Sequence, residues 1–167
     1  MNGYIGLAVT FLGALLQATI AARYPILGVH LDLVLVAVIA WAALRRFEDG
    51  LVWAALGGLA LDLFSAMPLG TSVVALALAA LVAAAIAGSL RTIHPFLIAL
   101  AVPVGALTYY LSATLLMALG GLAVGWVELY RGVVGPAVLL DTLLAPLMLI
   151  VLAWLSRATT PNPWAPQ

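Results

Sequence analysis

A membrane-spanning helix needs roughly 20 mostly apolar residues in a row, and this chain consists of little except such runs. Only 7% of its 167 residues are charged, whereas 66% are hydrophobic. A soluble domain carries about 25% charged residues, so charge this sparse cannot cover the surface of a globule in water. Lipid must be the surrounding solvent for most of the molecule, and the expected fold class is an all-α integral membrane protein. A soluble enzyme is excluded.

The runs are separated by charge, Pro and Gly. They cover residues 3–22, 31–44, 51–64, 71–90, 95–119 and 133–156, which predicts six transmembrane helices in one domain, residues 1–157. The Pro-rich tail, residues 158–167, is expected to be disordered and cytoplasmic. Four runs reach 20 residues or more, but 31–44 and 51–64 have only 14 each. At ~1.5 Å per residue such a helix covers about 21 Å of a ~30 Å hydrocarbon core. Either these two extend into their polar flanks, or they form a re-entrant hairpin shielded by the others. The charged turn of Arg45, Arg46, Glu48 and Asp49 between them favours full spans.

Six arginines balance six acidic residues, which leaves no basic excess for nucleic acid. The chain has neither Cys nor Lys, which excludes disulfides, thiolate metal sites, cysteine nucleophiles, Schiff-base lysines and P-loop lysines together. With the N-terminus inside, Arg45, Arg46, Arg91 and Arg157 lie on the cytoplasmic side and Arg23 and Arg131 on the outer side. That excess predicts that both termini are cytoplasmic. No positive charge precedes Arg23, so no cleaved signal peptide is expected and the first run is retained.

Charged groups inside lipid are costly, so each needs a reason. Asp62 is followed by Ser65, Pro68 and Gly70. Asp62 and Ser65 can accept from free backbone N–H groups, Pro68 and Gly70 can shape a turn, and Thr71 or Ser72 can cap the next helix. The alternative makes Asp62 a proton or cation ligand. Asp141 lies deep in the last run with no opposite charge within a turn, so its partner must come from another helix, water or a proton. Arg23 or Arg131 is expected to pair with one of Asp32, Asp62, Glu128 and Asp141. His30 and Asp32 suit capping better than metal binding. No nucleophile–base arrangement, paired carboxylates or phosphate loop is present, so neither catalysis nor a cofactor is expected.

Small residues recur every fourth position at Ala14, Ala18 and Ala22, at Ala54 and Gly58, and at Ala80, Ala84 and Gly88. Such stripes let helices approach closely in lipid. The first is the best candidate groove for a partner's membrane helix, and a homo-oligomer is compatible with the same feature. Pro103 and Pro146 are expected to kink their helices and make room for Tyr109 and Tyr110.

From Asp32 onward the pattern resembles the rod shape-determining protein MreD family. The resemblance rests on Asp32 opening the second run, on the turn Arg45-Arg46-Phe47-Glu48-Asp49-Gly50, and on Asp62 with Ser65, Pro68, Leu69 and Gly70. The late Asp141-Thr142-Leu143-Leu144-Ala145-Pro146 segment completes it. Two positions depart from the family pattern: Leu31 replaces a Pro, and Asp141 stands where Asn is usual. The resemblance implies a non-catalytic membrane scaffold of the bacterial elongation machinery that binds MreC directly. MreB and the RodA–transpeptidase synthase would be indirect partners in peptidoglycan synthesis. It also implies a helical arrangement similar to the substrate-binding subunits of energy-coupling-factor vitamin transporters. Such a transporter subunit is the alternative function, and its docking stripe would correspond to Ala14, Ala18 and Ala22.

Overall fold

The computed structural model describes Gly13, Gln17 and residues 32–44, 47–64, 68–90, 100–123 and 125–158. All regular structure among these residues is helical: α1 (Leu33–Leu44), α2 (Phe47–Phe64), α3 (Thr71–Leu90), α4 (Ala101–Leu119), α5 (Trp126–Leu129) and α6 (Gly135–Ala158). A π-helical turn, Tyr130–Val134, joins α5 to α6. Among the described residues, three segments are long and apolar enough to cross a membrane: Thr71–Ser89, Ala101–Leu119 and Trp126–Leu152. The remaining expected spans rest on the first run, most of which lies outside the described residues, and on two helices of different length.

Helix α1 has 12 residues, so it covers only about 18 Å. Its sequence, LVLVAVIAWAAL, contains no charged residue and is apolar on every face. A helix of that kind belongs inside a bundle, and α1 packs against α2, α3, α4 and α6. Val34, Leu35, Val36, Val38 and Ile39 are all buried. Helix α2 starts at Phe47, four residues before the expected run, because Glu48 and Asp49 suit the positive end of a helix. Part of the anticipated charged turn is therefore the first turn of α2, whose 18 residues reach about 27 Å.

Small residues set the spacing of the bundle. A Cβ on Gly58 would lie 2.5 Å from the Val73 Cα, which places the α2 and α3 backbones in direct contact. A Cβ on Gly50 would meet the Ala42 Cβ at 2.7 Å, and the Trp41 and Trp53 rings meet at 5.2 Å, tilted by 36°, beside the α1–α2 junction. Ala54 and Gly58 thus line a real helix contact. The row on α3 differs from expectation: Ala80 is buried, Ala84 half-buried and Gly88 exposed. The packed row is Ala75, Ala79, Ala83 and Ala87, all fully buried. Any start within an Ala-rich run gives a four-residue stripe, so the sequence alone could not select the face.

Proline has two different effects here. The described α-helix of α4 begins at Ala101, so Pro103 falls in its first turn, where a missing N–H costs little. Pro146 does lie inside α6. The larger irregularity is the π-turn, which ends just before Gly135 and Pro136. A proline ring clashes with the carbonyl four residues earlier, here Gly132, and the widened turn accommodates Pro136. Outside the core, α6 presents Leu139, Leu143, Leu147, Ile150 and Trp154, all well exposed in the isolated chain. Hydrocarbon is a compatible solvent for that surface. Helical hydroxyls are satisfied locally, as in Thr108 to Val104 O (2.8 Å) and Thr142 to Val138 O (2.6 Å).

Candidate functional site

The first N–H groups of a helix have no partner within it, and inside a membrane no water substitutes. Helix α1 meets this requirement with side chains drawn from three places. The Asp32 carboxylate precedes α1 and accepts the Leu35 N–H at 3.2 Å. Gln17 carbonyl oxygen accepts the Val34 N–H at 2.9 Å, while its amide donates to Asp32 Oδ1 at 2.8 Å. Asp141, on α6, accepts the Asp32 N–H at 3.3 Å. Residues 109 positions apart are joined in that last bond.

Asp141 has a second donor. The Tyr110 hydroxyl of α4 donates to its Oδ2 at 3.2 Å, and the Asp141 side chain is fully buried. Gln17, Asp32, Tyr110 and Asp141 therefore tie the first run, α1, α4 and α6 to one point.

Asp62 does the same work for α3. Its Oδ2 accepts the Gly70 N–H at 2.7 Å and its Oδ1 the Ser72 N–H at 2.9 Å. The turn between them runs through Gly70 at φ +94°, a conformation that favours glycine. Pro68 carbonyl accepts the Thr71 N–H at 3.1 Å. The expected cap from Thr71 or Ser72 is thus replaced by a carboxylate from the preceding helix. A negative charge there also faces the positive end of the α3 dipole, so Asp62 needs no arginine. Ser65 lies outside the described residues.

Helix α4 connects the two clusters. Tyr109 lies beside Ser72, next to the Asp62 cap, and its ring meets Tyr110 edge-on at 5.3 Å. Arg131 is exposed, and the described partners of Asp141 are the Asp32 N–H and the Tyr110 hydroxyl. The expected arginine pairing is not what holds this carboxylate among the described residues. Arg23, His30 and the stripe Ala14, Ala18 and Ala22 lie outside those residues.

Three features of this network have no forecast from the sequence: Gln17, the Tyr110–Asp141 bond and the approach of Tyr109 to Ser72. Gln17 carried a usable signal, as the only side-chain amide in the run 3–22. Among the described residues no three His, Cys, Asp or Glu side chains are grouped to hold a metal ion. Most of these bonds fix the starts of α1 and α3, and the Tyr110–Asp141 bond ties α4 to α6, which is the chemistry of an internally braced bundle.

No curated protein and no solved structure matches the chain. The family model described as rod shape-determining protein MreD matches residues 2–159. Nearly the whole sequence is covered, and the chain therefore belongs to the MreD family.

Proposed function

We propose that this protein is a non-catalytic scaffold subunit of the bacterial elongation machinery, seated in the plasma membrane as six spans with both termini cytoplasmic. Membership of the MreD family, a family of rod shape determination, is the observation that carries this reading. It binds the membrane helix of MreC through the stripe Ala14, Ala18 and Ala22, and through MreC it supports peptidoglycan synthesis beside MreB and the RodA–transpeptidase synthase. The bundle is arranged like the substrate-binding subunits of energy-coupling-factor transporters, with Asp32, Asp62 and Asp141 serving structure instead of ligand binding. The internal bonds of these carboxylates support that assignment, because a small-molecule pocket needs convergent polar groups free for the ligand.

The test is co-purification of the full chain with MreC from mild detergent. Replacing Ala18 or Ala22 by Leu adds bulk where helices must approach closely and is expected to lower retained MreC about tenfold, or ~1.4 kcal/mol. Helical content should stay unchanged. Undiminished capture by both variants would remove the stripe from the interface, and no capture by the unaltered chain would remove the scaffold reading.

A further inference from the structure

A side groove of about 510 Å³ opens between α4 and the start of α6, within the ~300–1,000 Å³ range of ligand pockets. Leu107 forms the α4 wall, and Val134, Pro136, Val138 and Leu139 form the other. The lining is apolar except at one end, where Arg131 stands on the π-turn. π-Turns are frequent at functional positions, and here the widened turn with Gly135 and Pro136 leaves the gap open.

Two observations identify what would fill it. Arg131 is exposed and has no acidic partner among the described residues, including Glu128 one turn earlier. Beside it Trp126 and Tyr130 stack at 6.3 Å with an interplanar angle of 19°. Aromatic side chains of this kind mark the headgroup level of a bilayer. The surface then continues down α6 through exposed Leu139, Leu143 and Leu147. A cation at headgroup depth above an apolar channel complements one molecule: an anionic lipid lying along the helix.

We propose that this groove seats one acyl chain of an anionic glycerophospholipid, with Arg131 against its phosphate. The planar guanidinium fork matches phosphate geometry with two parallel hydrogen bonds. The Tyr130 hydroxyl on the same wall is buried without a partner among the described residues, a donor that the protein itself leaves unused.

Native mass spectrometry tests this with the full chain released from nanodiscs of phosphatidylcholine containing a minor fraction of phosphatidylglycerol. The expected result is one phosphatidylglycerol retained in preference to phosphatidylcholine. R131Q should reduce that retention about tenfold, a factor worth ~1.4 kcal/mol. L107W should reduce it as strongly by filling the groove while the charge remains, and R157Q, which removes one charge elsewhere, should not. If L107W fails to fold, L139W on the opposite wall replaces it. Equal retention of both lipids, or wild-type retention by R131Q and the groove-filling variant, would overturn the proposal. So would unchanged lipid retention by L107W together with loss of MreC in the detergent co-purification above, which would assign the groove to a protein helix.

Discussion

Gly58→Ala is expected to lower the stability of the detergent-solubilised protein by about 3 kcal/mol, the upper end of ordinary overpacking costs. The added methyl would lie 2.5 Å from the Val73 Cα, 2.6 Å from its nitrogen and 2.9 Å from the Ser72 carbonyl carbon. All three atoms are backbone, so no side-chain rotation relieves the clash and α2 must move away from α3. That movement would also strain the Asp62 cap on Ser72. Gly88→Ala provides the contrast, because nothing lies within 4 Å of its added carbon. There the better helix propensity of Ala should leave stability unchanged or raise it by up to ~1 kcal/mol. Thermal unfolding of both variants in one detergent measures the difference; equal midpoints would contradict the close α2–α3 approach.

Asp62→Ala should be the most damaging single polar deletion, at about 2–5 kcal/mol. It leaves the Gly70 and Ser72 N–H groups without their acceptor, and each buried orphan donor costs ~1–3 kcal/mol. Asp62→Asn keeps one acceptor oxygen and should lose roughly half as much. This graded response separates a cap from an ion site: a proton or cation ligand would lose function in both variants with little change in stability. Measuring the unfolding midpoint of each, together with retention of MreC, distinguishes the two.

What could be read from the sequence depended on distance along the chain. The run 71–90 coincides with α3, and the last run, 133–156, lies two residues from α6 at each end, because apolar length and flanking breaks are local signals. The Asp62 turn was also legible, since donor and acceptor are only eight to ten residues apart and Gly70 supplies the needed backbone conformation. The start of α2 lies four residues before the apolar run, because Glu48 and Asp49 are charged yet favourable in a first helical turn. Partners of Asp141 were not legible. The Asp32 N–H and the Tyr110 hydroxyl are 109 and 31 residues away, and only the packing of α1, α4 and α6 brings them together. For Asp141 the described partners are a backbone N–H and a hydroxyl instead of Arg131, since such donors can hold a buried carboxylate without a cation; the pairing expected of Arg23 lies outside the described residues.

Scaffolding through the first run is tested most directly by disulfide trapping in intact membranes, which the cysteine-free sequence permits without background. Single variants A14C, A18C and A22C would each be expressed with MreC carrying one cysteine in its membrane helix, and L143C on the exposed face of α6 would serve as the comparison. Scaffolding by the alanine stripe predicts linked heterodimers at positions 14, 18 and 22 and none at 143. Trapping at 143 with none along the stripe, or no trapping at any position, would contradict it.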